Sequence, residues 1–220
     1  METIKKSTLD FLQKLKSNND REWFNTNRKL YEDAKENFRS LVQAVIDKIT
    51  EFEPIMKGLE ASSCIFRINR DIRFSNDKSP YKTNFGAFIV KGGRKNGDKF
   101  AGYYLHIEPG NSIIAGGAYM PPAPWLAAIR EKIDEAPEVF LKIINDRNFI
   151  KYFGKLEGEM LKSAPKGYPS DHPYIELLKH KSYLVVAEIP DKNVTGDGYF
   201  EQIIEIARAM KPLNDFLNDY

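Results

Sequence analysis

Cysteine is almost missing from this sequence. Cys64 is the lone thiol in 220 residues, which excludes an internal disulfide framework and a zinc site built on several cysteines. Such a chain suits a reducing compartment, so a cytoplasmic location is expected. Histidine is nearly as scarce. His106, His172 and His180 are far apart and form no H-E-x-x-H or paired Cys/His pattern, so no metal site is expected. Phosphate-loop, dinucleotide and G-x-S-x-G signatures are absent as well, because Gly92-Gly93 and Gly116-Gly117 lack the strand-to-helix setting those motifs need. No cofactor is therefore expected. The longest stretch without charge, 113–129, is broken by two glycines and three prolines and falls short of the ~20 residues a membrane helix needs, so no membrane partner is expected. The N-terminus follows Lys5 and Lys6 with Ser-Thr-Leu-Asp and so lacks the apolar region of a secretory signal.

What is present is a core. Hydrophobic residues make up 42% of the chain, with Phe 14, Tyr 11 and Trp 2, too much apolar surface for a solvated polymer. Ser7 with Asp10, and Asn19 with Glu22, have the spacing of helix N-terminal capping boxes. From Asp20 on, Phe24, Tyr31, Ala34, Phe38, Leu41, Val45 and Ile49 recur at three- and four-residue steps, predicting one long amphipathic helix that ends before Pro54. The period then changes. Segments 64–74, 84–91, 100–107 and 112–119 are rich in β-branched and aromatic residues, with turn clusters at 92–97 and 109–111, as in an antiparallel meander. Helical spacing returns after Pro121-Pro122, a Gly/Pro-rich connector covers 163–173, one more strand spans 182–189, and a closing helix spans 199–217 with Pro212 as a candidate kink. The expectation is one α+β domain over 1–220: a helical part at 7–52, a sheet at 64–120, and a helical part with one strand at 122–217. Its largely antiparallel sheet, a meander of about four strands plus one late strand, would carry helices on one face.

Charge is unevenly placed. The chain has Lys+Arg 33 and Asp+Glu 31, net +2, but segment 64–99 holds nine Lys/Arg against three Asp, or +6, which leaves −4 for the rest. Read as a strand, 65–74 would bury Phe66, Ile68, Ile72 and Phe74 and present Arg67, Asn69, Asp71 and Arg73. Arg70 falls on the apolar parity, so either a bulge re-aims it or a carboxylate draws it in. The next stretch, 75–84, is dense in turn formers, and Pro80 stiffens it. Guanidinium groups bind carboxylate or phosphate at two points, and lysine adds an adaptable charge. Arg67, Arg70, Arg73, Lys78 and Lys82, with Tyr81 as a donor, are therefore candidate ligands of a small anion. The competing reading is a structural network in which Asp71 and Asp77 neutralise the arginines.

Three blocks, Asn18-Asn19-Asp20-Arg21-Glu22-Trp23-Phe24, the run from Arg67 to Asn84, and Ala101-Gly102-Tyr103-Tyr104 with His106-Ile107-Glu108-Pro109-Gly110, stand in order along the chain. Together they resemble the domain-of-unknown-function family numbered 2461. The resemblance implies a family domain over nearly the whole chain and brings no catalytic residues with it.

Other chemistry is thinly marked. His106 shares strand parity with Gly102 and Tyr104, and with Asp71 it is a candidate for proton transfer should the domain be an enzyme. Cys64 opens an apolar segment and reads as a small buried hydrophobe. The basic tip at 91–99 could touch nucleic-acid phosphates, or only keep an edge soluble. The leading expectation is a domain that binds a small phosphate- or carboxylate-bearing ligand. The alternatives are a nucleic-acid-binding module using the basic strand and hairpin tip, and a ligand-free protein-interaction scaffold. Oligomeric state is open.

Overall fold

A computed structural model describes residues 3–73 and 76–219. The expected α+β class is borne out: four antiparallel strands, in the order β1-β2-β3-β4, lie against helices. The strands are β1 (Phe85–Ile89), β2 (Gly102–Ile107), β3 (Ser112–Ala118) and β4 (Tyr183–Ile189). The first three form the expected meander and β4 is the late strand. Among the described residues, 64–73 do not form a fifth strand. Cys64 ends the short helix α4 (Ala61–Cys64), and among the described residues beyond it β pairing is limited to single bridges, Ile65 to Ala87 and Asn69 to Tyr81. Phe74, expected on its apolar parity, lies outside the described residues.

The N-terminal helices are α1 (Lys6–Ser17), α2 (Arg21–Thr26) and α3 (Arg28–Thr50). The single long helix expected from Asp20 is divided at Asn27. That side chain donates to the Trp23 carbonyl at 2.9 Å, the carbonyl its own backbone amide also uses, so local hydrogen bonding competes with the helical ladder. The caps differ from the expected ones too. Asp20, one residue past Asn19, accepts from the Trp23 amide, while α1 has no side-chain cap. Asn19 instead clamps the chain at Tyr81, donating to its carbonyl at 2.9 Å and accepting from its amide at 3.1 Å.

Helices α5 (Ala123–Glu135), α6 (Pro137–Ile144) and α7 (Arg147–Phe153), the single turns α8 (Ile175–Leu178) and α9 (Asp191–Val194), and the closing α10 (Tyr199–Asn218) complete the order. The short α7 adds to the expected helices; Asp146 caps it by accepting from the amides of Asn148 and Phe149. Pro212 lies inside α10. One hydrophobic cluster runs from Ile4 to Leu217 and joins Phe38, Leu41 and Val45 of α3, Tyr103 and Leu105 of β2, and Ile206 and Met210 of α10. A Cβ at Gly116 would drive into the Met210 sulfur and the Gly102 carbonyl, so a bare backbone is what lets α10 lie close on β3. Among the described residues no helix is long and apolar enough to cross a membrane.

Candidate functional site

Side chains alternate across a strand, so the register divides this sheet into two sets. Tyr103, Leu105, Ile107, Ile114, Val185 and Ala187 are buried against the helices. Their neighbours face the other way: Gly86 and Phe88 on β1, Tyr104 and His106 on β2, Ile113 and Ala115 on β3, Leu184 and Val186 on β4. On this second face lies a cavity of about 850 Å³ floored by Phe88, Tyr104, Ala115 and Val186. An apolar floor with a few polar groups at its edge, at this volume, is the ordinary make-up of a small-molecule site.

The edge is cationic. Lys82, Arg94 and Lys95 line it with Phe66 and Asp98. The Lys82 ammonium stands 5.3 Å from the Phe66 ring centroid and the Arg94 guanidinium 5.9 Å from it, so both charges share one aromatic ring. Arg94 also donates to the Ser63 carbonyl at 3.0 Å, which fixes its direction. Among the described residues no carboxylate lies within ion-pairing distance of Lys82 or Arg94. Burial, and then the charges of Arg67 and Arg94, hold the Lys82 ammonium below its usual pKa. Tyr119 and Met120 stand out at the rim, 67% and 70% exposed. Met120 has φ +43°, a left-handed conformation that costs a non-glycine residue about 1 kcal/mol or more, and it is held by its amide donating to Ser182 Oγ at 2.8 Å.

Behind Tyr104 runs a chain of hydrogen bonds. Tyr104, His106 and Glu108 succeed one another at two-residue spacing. The Tyr104 hydroxyl is 3.0 Å from His106 Nδ1, and His106 Nε2 is 3.2 Å from Glu108 Oε2. The side chains of His106 and Glu108 are largely enclosed, at 16% and 17% exposure. Glu108 is fixed from both sides, by the Thr83 hydroxyl at 2.7 Å and the Asn111 amide at 3.1 Å. Burial pushes its carboxyl up, but the hydrogen bonds from Thr83, Asn111 and His106 outweigh that and hold it below the usual carboxylate value. An ionised carboxylate only accepts, so His106 carries its proton on Nε2 and Nδ1 accepts from Tyr104. Asn84 Nδ2 reaches the same Nδ1 at 3.3 Å. Burial, then the Glu108 charge, raises the Tyr104 phenol, which stays protonated at neutral pH.

The six residues expected to hold an anion do not converge. Arg70 pairs with Asp77, and Arg73 with Asp71 at 2.6 Å. The question left by Arg70 is thus resolved by a carboxylate. Lys78 donates to the Ile72 carbonyl at 3.1 Å. Tyr81 is a core residue, its ring stacked 3.9 Å from that of Phe24. Arg67 is exposed and near enough to act electrostatically on Lys82 and Asp71. Of the six, Lys82 lines the cavity. Asp71 is engaged by Arg73, apart from the network in which His106 sits. Ile68 of the expected apolar set is buried, whereas Phe66 is 37% exposed because it folds over the rim of the open face. Arg94, Tyr104 and Glu108 are not among the expected residues. The signal that could find them is the two-residue spacing Tyr-x-His-x-Glu and an arginine at a hairpin tip. Cys64 is buried, and burial raises its thiol pKa, as for an inert hydrophobe. Among the described residues no cluster of His, Cys, Asp or Glu could hold a metal ion.

The arrangement defines an α+β domain with one sheet face sealed by helices and the other hollowed and edged with cations. The chain belongs to the family described as a conserved hypothetical protein, DUF2461, which matches residues 7–216. Neither curated proteins nor solved structures provide a match to it.

Proposed function

We propose that this domain binds a small organic anion, phosphate- or carboxylate-bearing, on the open face of its sheet. The anionic group would sit at Lys82 and Arg94, and the apolar body over Tyr104, Ala115 and Val186. What carries the reading is that two cations share the Phe66 ring at the edge of an apolar hollow, with no carboxylate among the described residues close enough to pair with them. A half-buried, unpaired ammonium is held at a cost that a bound anion would relieve. Arg70 and Arg73 are engaged by their own aspartates instead. A cytoplasmic setting accords with a lone, buried Cys64.

Thermal-shift measurements with phenyl phosphate and benzoate, against benzyl alcohol and inorganic phosphate, test the reading. A ligand that prefers the native state raises the midpoint by mass action. The aromatic anions should raise it most, and Lys82→Ala with Arg94→Ala should weaken their binding at least about tenfold, the share of two charge-assisted contacts. Equal shifts with the neutral alcohol, or none in any case, would overturn it. An oligonucleotide that binds with a steep inverse dependence on salt would favour the nucleic-acid alternative instead.

A further inference from the structure

The geometry points to Tyr104 as a nucleophile primed by His106 and Glu108, acting on an ester of the anion that the cavity holds. The inference rests on the binding site proposed above and adds chemistry to it. A weak hydroxyl nucleophile becomes competent when a base lies within hydrogen-bond reach and a third group orients that base. All three parts are here, Tyr104 and His106 on β2 and Glu108 just past its end. Tyr104 Oη lies 3.0 Å from Nδ1 of His106, the opposite ring nitrogen lies 3.2 Å from Glu108, and Glu108 is itself anchored by Thr83 and Asn111. A purely structural tyrosine on an open sheet face needs no such support.

Two further features fit the role. Tyr104 belongs to the lining of the cavity, so its ring lies where ligand would. The residue across from His106 on β1 is Gly86, and a Cβ there would come 2.8 Å from Tyr104 Oη, so the missing side chain leaves the hydroxyl its place beside the imidazole. The reaction class is acyl or phosphoryl transfer from an anionic ester. Tyr104 Oη bonds to the electrophilic atom, the bond to the leaving group breaks with its electron pair, and the hydroxyl proton passes to Nδ1. The resulting imidazolium, its Nε2 proton held by Glu108, returns the Nδ1 proton to the leaving group. Water then displaces Tyr104 from the adduct and restores the hydroxyl.

An electrophilic probe makes this testable before any substrate is known. In para-fluorosulfonylbenzoate the carboxylate supplies the anion and fluoride is the leaving group; attack forms a Tyr–O–S bond and breaks the S–F bond. Tyr119 lines the same cavity but is exposed and has no base in contact among the described residues, so it serves as an internal reference. Labelling, read by intact mass and peptide mapping, should modify Tyr104 ahead of Tyr119. His106→Asn should slow it about 100-fold, the usual share of a general base, and Glu108→Gln should slow it less. A Tyr104 rate no faster than that of Tyr119, or one indifferent to both substitutions, overturns the inference. Protection by the unreactive para-methylsulfonylbenzoate separates the two failures. If that analogue raises the melting midpoint in a Lys82-dependent way while Tyr104 stays unlabelled, the relay is wrong and the binding site stands. If Tyr104 labels in a His106-dependent way without saturation or protection, the relay holds and the binding site is wrong.

Discussion

Alternate residues of the same four strands live in two different solvents. On one face Tyr103, Leu105 and Ile114 are nearly inaccessible beneath α3 and α10. On the other, Tyr104, His106 and Ile113 are only partly covered, and the polar ones are joined by hydrogen bonds. Packing accounts for most of the first set, because each side chain there removes apolar surface from water, and the one hydroxyl among them, on Tyr103, donates to Glu53 at 2.7 Å. It does not account for the second. Enclosing a histidine and a glutamate and satisfying both from Thr83, Asn84 and Asn111 demands coordinated placement of separate loops, for no gain that leucines could not supply. The sealed face thus holds the fold together, and the open face is where the molecule spends its polar groups.

The sharpest way to break that division is to truncate one residue on each side. Leu105→Ala should cost about 2–5 kcal/mol in urea unfolding, the range for a methyl-for-isobutyl exchange in a closed core. Val186→Ala, on the open face, should cost about 1 kcal/mol or less, since its methyl groups are partly in water already. Equal losses would mean that the second face is core as well. A subtler contrast uses glycine. Gly116→Ala forces a methyl group into Met210 and the Gly102 carbonyl, and backbone cannot yield, so about 1–3 kcal/mol should be lost. Gly86→Ala meets only the far end of the Tyr104 side chain, which can swing aside. Its stability should change by under about 1 kcal/mol, while the Tyr104 labelling rate falls toward that of Tyr119.

Much of this architecture can be read from residue order, and the parts that cannot share a cause. The long α3 and the β2–β3 hairpin arise from helical and two-residue periods that are fixed locally. Segment 64–74 has the same two-residue alternation, yet among its described residues β pairing with β1 is limited to an isolated bridge at Ile65, where the chain has just left α4. Periodicity reports which side chains can share a face, not whether a partner strand exists. The binding site shows the same limit. Charge density draws attention to 67–82, but Asp71 and Asp77 lie within seven residues of the arginines they engage. The cations of the cavity edge, Lys82 and Arg94, come together around Phe66 from three separate stretches of chain. His106 is visible as a candidate from strand parity alone. Its supports are not, since Thr83 and Asn84 reach Glu108 and His106 from the turn that leads into β1.

The smallest expected effect concerns Glu108, and its sign discriminates between two origins for the network. The Glu108 carboxyl titrates below the ordinary value of 4.5 in the folded protein, as Thr83, Asn111 and His106 stabilise its ionised form against the cost of burial. A group with a depressed folded pKa contributes stability that is fully present above its unfolded pKa and is lost as pH falls through the folded one. Wild type should therefore exceed Glu108→Gln in stability by roughly 1 kcal/mol or less at neutral pH, and the gap should close on acidification below about pH 4.5. Urea midpoints for both proteins, measured from neutral pH down into that range, give the comparison directly. A gap that persists unchanged in acid would mean that Glu108 acts through shape and neutral hydrogen bonds alone. The histidine would then have no carboxylate to orient it, and the open face would lose the feature that most sets it apart from the sealed one.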